Sequence, residues 1–357
     1  MRDRTIVRIT LRLAVTTLVV ILIGGCVAHT VAPQISPSLS SPRSSNGQTA
    51  FTVGVGLYAI HDYPLTQART FGRRDIAWIA RSLGLRAVQI DFNLSADDQG
   101  VRPGFNTAST ADIAELTDIA HSYGMQVSYR VLFTGGPGSI HPAEAGAWFA
   151  TLYSAELPYL ELAQREHAAE FVVGTEQGAV EDSRGWGRFY ATASDVYHGV
   201  LSYASWGGAP GSGGVFGGDL SGLTPASLYG VTAYPSVSLP PSASQQQLDT
   251  IWEAFLGHAP ASVLRRTAID EIGIPAADGA YARPWDWGAF TGSFADLIQA
   301  RWFTAACTAA RVQHMRGIWF FPIYLDDDPA HPYPGLAKFE SRPSSERAIR
   351  ACVGAGT

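Results

Sequence analysis

The stretch FVVGTEQGA, residues 171–179, runs three apolar residues into Gly-Thr-Glu. A short apolar run of this kind reads as a buried strand, and such strands ordinarily close on turn residues. A carboxylate at that point is unfavourable unless something uses its charge or its proton. Glu176 is therefore a candidate functional residue. A second run, RRTAIDEIGIP at 265–275, carries Glu271 in the same place near its end. Whether the two glutamates meet depends on how their strands are arranged.

From residue 51 onward, short apolar runs alternate with longer helical patterns. Strands are predicted at 51–58, 86–93, 126–133, 170–176, 200–206, 228–235, 266–274 and 316–325. Between them lie helical patterns such as DIAWIARSLG, stopped by Gly84, and TADIAELTDIAHSYG, closed by Gly124. A longer helical region, 144–167, is expected to break near Pro158. Strand–helix alternation calls for a parallel sheet covered by helices. Eight such units over about 300 residues predict an α/β protein, a (β/α)8 TIM barrel forming a single domain over 51–357. The chain has no GxGxxG after its first strand and no GxxxxGK[ST] anywhere, which counts against a nucleotide-binding open sheet. In a barrel, functional groups gather at the C-terminal ends of the strands. The fourth and seventh strands lie roughly across the mouth from each other, so Glu176 and Glu271 are expected to face one cleft.

The chain has 357 residues, 46% hydrophobic and 16% charged, with a net charge of −6. No basic run follows the first dozen residues, so nucleic acid is not an expected partner. Nine histidines without ligand spacing and three cysteines indicate no metal, and no cofactor is implied. A monomer is expected. At the N-terminus, four arginines precede LAVTTLVVILIGGC, an apolar stretch ending on small residues, which reads as a signal peptide over 1–25. Ile23-Gly24-Gly25-Cys26 resembles the lipobox of bacterial lipoproteins. That resemblance implies cleavage before Cys26, a lipid on its thiol, and anchoring to the outer face of the cell membrane. A plain membrane anchor and a secretory signal cut elsewhere are the alternatives. Residues 26–50 read as a Ser/Pro-rich tether. Export makes a disulfide between Cys307 and Cys352 plausible, two separate buried thiols being the alternative.

Paired carboxylates across a barrel mouth suit glycoside hydrolysis, in which one acid protonates the leaving oxygen and one carboxylate attacks or activates water. Sugar rings present apolar faces, and Trp206, Tyr234, Trp285, Trp287 and Trp319 stand near strand ends. The order of four segments resembles glycoside hydrolase family 113: VGTEQ, SRGWGRFYATASDVYHGVLSYASW, LYGVTAYPSV and AIDEIGIPA. The resemblance implies Glu176 as acid/base, Glu271 as nucleophile, Tyr234 as its hydrogen-bond donor, and Trp319 as the floor under the reacting sugar. It also implies β-linked, mannan-like substrates. Thr175 stands where the wider clan has an asparagine that contacts a sugar hydroxyl. Asp91 and Asn93, ending the second strand, are further candidates for sugar hydroxyls.

Strand alternation points Asp270 away from the barrel interior. Trp206 is expected to contact substrate, and Trp285 and Trp287 either extend the sugar platform or pin their own loop. The aspartates at 326–328 read as a solvated turn rather than a calcium loop. Residues 207–218 are expected to form a glycine-rich loop over the cleft. The expected activity is a retaining glycoside hydrolase acting on mannan-like or cell-envelope glycan. A non-catalytic glycan-binding lipoprotein and a transglycosylase using the same pair are the rivals.

Overall fold

Eight parallel strands close on themselves in the computed structural model. It describes residues 51–354 apart from 136–137, 181–182, 208–227, 288–293, 334 and 336–337, together with the side chain of residue 179. The signal segment, Cys26, the tether and all but the first residue of the glycine-rich stretch lie outside the described residues. In chain order the elements begin with β1 (Thr52–Ala59), α1 (Leu65–Ser82), β2 (Ala87–Asp97), β3 (Gly100–Arg102), α2 (Thr110–Ser122) and β4 (Gln126–Thr134). They continue with α3 (Ala145–Arg165), β5 (Glu170–Thr175), α4 (Gly185–Ser194), β6 (Val200–Gly207) and β7 (Tyr229–Ala233). The last are α5 (Gln245–Leu256), α6 (Ala261–Leu264), β8 (Thr267–Ile272), α7 (Asp296–Val312), β9 (Gly317–Tyr324) and α8 (Pro343–Gly354). The sheet runs β1-β9-β8-β7-β6-β5-β4-β2, and parallel pairing of β1 with β2 closes the (β/α)8 barrel. Among the described strands β3 is foreign to the expected pattern; it pairs antiparallel with the extended end of β2.

Local chemistry sets the boundaries. Ser109 caps α2 by accepting the Asp112 N–H, and Ser244 with Gln247 forms a capping box on α5. Gly84 and Gly124, at φ 70° and 68°, let the chain turn from helix into strand. The expected break at Pro158 does not occur, and α3 runs through it. Ser154 and Pro158 both line an open surface groove, where water can reach the carbonyl that proline leaves unbonded.

Alternation along each strand divides the core in two. Val88, Ile90, Phe92 and Leu94 of β2 join the apolar layer between barrel and helices, each contributing about 1.5–3 kcal/mol by its burial. Their neighbours Gln89, Asp91 and Asn93 stay out of that layer, as do Ser128 and Arg130 of β4, though all five are buried. Beside β2, Trp319 of β9 packs against Gly54 of β1, where a Cβ would collide with its ring. Cys307 of α7 and Cys352 of α8 are joined by a disulfide, Cα–Cα 5.9 Å, which ties down the last helix. Its loop of 45 residues is worth about 4 kcal/mol by the loop-closure argument.

The aspartate run after β9 is not a solvated turn. Asp327 is buried, accepts the Tyr333 N–H at 2.6 Å and pairs with Lys338, while Arg74 of α1 grips its carbonyl at 2.6 Å. Among the described residues no three His, Cys, Asp or Glu side chains group as metal ligands. No described helix is long and apolar enough to cross a membrane.

Candidate active site

Glu271 sits on β8 just past an irregularity. Val231 of β7 pairs with Ile269, but the next residue, Thr232, pairs with Glu271, so Asp270 is one residue extra. Such a bulge re-aims side chains. It turns Glu271 over the mouth, where the Tyr234 hydroxyl donates to its Oε1 at 2.5 Å and Arg130 Nη1 meets its Oε2 at 2.9 Å. Arg130 is wholly buried. Its Nε and Nη2 clamp both oxygens of Asp91 at 2.8 and 3.0 Å, its Nη1 also reaches the Asp270 carbonyl at 2.9 Å, and it lies over the Phe321 ring. Burial works against the Arg130 charge, but Asp91 and Glu271 more than offset it and hold the guanidinium protonated. Burial also pushes Asp91 up to about 7, against the pull of Arg130. The Tyr234 hydroxyl is raised well above its ordinary range by burial and by the Glu271 charge, so it stays a proton donor.

Glu176 follows β5 with φ 60°, a left-handed conformation that costs a non-glycine residue about 1–3 kcal/mol. The surroundings enforce it. Its N–H donates to the Ala204 carbonyl at 2.9 Å, its carbonyl accepts the Gly138 N–H at 3.2 Å, and the next N–H, of Gln177, donates to the Tyr203 hydroxyl at 2.6 Å. β5 also carries an extra residue between Val172 and Thr175. Glu176 and Glu271 line one cleft of about 300 Å3, with Tyr58, Asn93, Phe321, Trp287 and Tyr324 around them.

The other expected residues fall into three groups. Asn93, Thr175 and Trp287 line the cleft. Asn93 is oriented by the Tyr58 hydroxyl, which donates to its Oδ1 at 2.8 Å. Thr175 donates its own hydroxyl to the Val131 carbonyl at 2.9 Å, which leaves its oxygen only as an acceptor. Trp206 and Trp285 extend an aromatic wall outward: Trp206 stacks on Tyr234 at 5.8 Å, and Trp285 meets Trp206 edge-on at 5.9 Å.

Three expectations are corrected. Asp91 does not reach the cleft, because Arg130 takes both of its oxygens. Trp319 is not the cleft floor; it lies deeper, against Gly54, and Phe321 two residues on lines the cleft instead. Asp270 points into the barrel rather than away, because the bulge breaks the alternation on which that expectation rests. Sequence reading missed Arg130 altogether. Its signal was an arginine in the middle of the apolar run SYRVLF, which had to find a counter-charge.

The profile of Glycoside Hydrolase Family 113 matches residues 106–333. No curated protein sequence matches the chain. Among solved structures, a GH113 β-1,4-mannanase superposes with a TM-score of 0.66 at 16% identity, covering 85% of this chain and 98% of its own. The GH113 β-mannanase AaManA from Alicyclobacillus acidocaldarius gives 0.65 at 19% identity, covering 85% and 97%. An endo-1,4-β-D-mannanase from Thermotoga petrophila gives 0.52 at 12%, covering 85% and 99%. At these identities the superpositions speak for the shared barrel, and the profile match speaks for the family. This chain belongs to glycoside hydrolase family 113.

Proposed function

We propose that this glycoside hydrolase cleaves a neutral β-linked glycan of the mannan type with retention of configuration. Glu176 acts as acid/base and Glu271 as nucleophile. The observation that carries the reading is the convergence of both glutamates on one cleft, with Glu271 gripped by Arg130 and Tyr234. In the first step Glu176 gives its proton to the glycosidic oxygen. The Glu271 carboxylate attacks the anomeric carbon, and the bond to the leaving sugar breaks. In the second step the Glu176 carboxylate takes a proton from water, whose oxygen displaces Glu271 and frees the product. Arg130 and Tyr234 hold the two Glu271 oxygens oriented for attack. Phe321 offers an apolar face beneath the sugar, and Asn93 offers its amide N–H group to a hydroxyl.

The neutral character of the substrate is supported by the cleft lining, which among the described residues holds two glutamates and no Lys, Arg or His. A polyanionic glycan would find no counter-charge there. The family's solved β-mannanases, named for a neutral polysaccharide, agree with this. The outer aromatic wall of Trp206 and Trp285 fits further sugar rings along the chain.

The direct test is intact-protein mass spectrometry after incubation with activated 2-deoxy-2-fluoro glycosides. The panel is β-mannosyl, β-glucosyl, β-galactosyl and β-galactofuranosyl donors. A stable adduct on Glu271 from the mannosyl donor, lost in Glu271→Gln, is expected. An adduct on another residue, or from a different sugar alone, would overturn the assignment.

The same proposal includes export and lipid attachment at Cys26. The basic, apolar and small-residue anatomy of the N-terminus supports it. A tether of residues 27–50 reaches up to about 80 Å when extended. Metabolic labelling with palmitate should mark the full chain and not Cys26→Ala; equal labelling of both would remove Cys26 from the account.

A further inference from the structure

Beneath the cleft the barrel interior holds a second set of polar side chains that the reaction does not use. Gln89 of β2, Ser128 of β4, Glu170 of β5, Ser202 of β6 and Asp270 of β8 are 1%, 1%, 6%, 0% and 1% exposed. The pairings Gln89↔Ser128 and Ser128↔Glu170 set three of them at one level, and Ser202 stands beside Val172 just above. Asp270 leans across Gly230, where any Cβ would collide with its carboxyl. Both amide atoms of Gln89, both serine hydroxyls, Glu170 Oε1 and both Asp270 oxygens have no hydrogen-bond partner among the described residues. Arg316 Nη1 approaches Glu170 Oε1 at 3.5 Å, yet no hydrogen bond forms between them.

So many enclosed polar atoms left without partners would each weigh against the folded state. Buried polar groups in folded proteins are satisfied by protein or by enclosed water. Here the described protein atoms supply no hydrogen bond, and two carboxyl groups face the same space. We propose that this layer is a closed, hydrated chamber in which Asp270 carries a proton and faces Glu170. It forms a second carboxyl pair one layer beneath Glu176 and Glu271, and it positions Glu271 through the β8 bulge.

Two features support this. Four charged groups act on the Asp270 carboxyl. Burial and the Glu170 charge raise it well above the ordinary range, Arg130 and Arg316 pull it down, and Asp91 adds to the rise. The neutral acid then supplies the donor that a cluster of acceptors and hydroxyls needs. The second feature is connectivity. The Asp270 carbonyl accepts from Arg130 Nη1, the same nitrogen that meets Glu271 Oε2. Whatever holds Asp270 in place therefore holds both the backbone and the counter-ion of its neighbour.

The positioning part rests on Glu271 being the nucleophile, whereas the chamber stands or falls by itself. A high-resolution crystal structure should show ordered waters joining Asp270, Glu170, Gln89, Ser128 and Ser202. Direct pairing of these side chains, or a metal ion among them, would overturn the proposal. Infrared spectroscopy at neutral pH should show protonated-carboxyl C=O absorption from which Asp270→Asn removes one component; a spectrum unchanged by that substitution sinks the proton assignment even if other variants fail to fold. In kinetics, Asp270→Leu should lower kcat about 100-fold with KM little changed, as a small misplacement of a reacting group does. Asp270→Asn, neutral and of the same shape, should recover most of the loss. An equal loss in both variants would mean that the neutral-acid role is wrong.

Discussion

Asp270 and Glu271 are neighbours on one strand, both buried, and they live under opposite conditions. Glu271 has a guanidinium at 2.9 Å and a phenol at 2.5 Å. Asp270 has no hydrogen-bond partner among the described residues for either oxygen, and another carboxyl among its neighbours. Depth alone therefore does not decide which partners a carboxyl finds inside this barrel. The bulge decides them by giving each side chain a different level of the interior. A strand of regular alternation would have sent one of the two out to the helices.

The largest test of that contrast is at Glu271 itself. Glu271→Gln keeps the shape and the Tyr234 contact but cannot attack the anomeric carbon. Turnover of an aryl β-mannoside should fall about 10,000-fold or more. A variant within tenfold of wild type would mean that the partnered carboxylate is structural. Next comes Arg130. Arg130→Met leaves Asp91 buried without its clamp, and unfolding free energy in urea should drop by about 3–5 kcal/mol. Adding Asp91→Leu should restore most of that stability, because the unpaired charge is then gone. It should not restore turnover, since Glu271 still lacks its cation. Recovery of activity in the double variant would show that Arg130 matters to the fold alone.

The unpartnered member of the comparison makes a prediction with pH. A carboxyl whose folded value is raised binds its proton in the folded state where the unfolded chain has already lost it. Its contribution to stability therefore falls as pH rises above the unfolded value of about 4. Asp270→Asn removes this penalty. Asp91, Asp75 and Glu340, raised to about 7 by burial, impose the same kind of slope on both proteins. The stability difference, variant minus wild type, should then grow between about pH 5 and pH 8, by up to about 1.4 kcal/mol per pH unit. Parallel curves would place Asp270 among the ordinary ionised carboxylates.

The barrel and its two mouth glutamates were legible in the sequence, because alternating strand and helix patterns survive without knowledge of contacts. The levels within the barrel were not. Trp319 and Phe321 share a face by the period of two, and nothing in their order says that only Phe321 reaches the cleft. Three of the strands that aim side chains at the cleft also carry one extra residue: β5 before Glu176, β8 before Glu271 and β9 beside Phe321. Bulges of this kind have no composition of their own, so Asp270 was read as facing the helices. Arg130 and Asp91 could have been paired from sequence, since each is a lone charge at mid-strand in an apolar run and each needs the other.

The finest test removes one partner of Glu271 and leaves the other. Tyr234 is wholly enclosed, with Trp206 stacked on one side and Trp287 edge-on at 5.8 Å, so Tyr234→Phe should fold as the wild type does. What it loses is a hydrogen bond to a charged group, worth about 1.5 kcal/mol or roughly tenfold in kcat/KM. Arg130 still holds the second oxygen, so the loss should stay far short of that in Glu271→Gln. A drop as deep as the glutamine variant would mean that the phenol does more than orient and shares directly in the chemistry. No drop at all would mean that Arg130 suffices and that the 2.5 Å contact matters only to packing. Either outcome would shift the contrast from how many partners a buried carboxylate has to which one it needs.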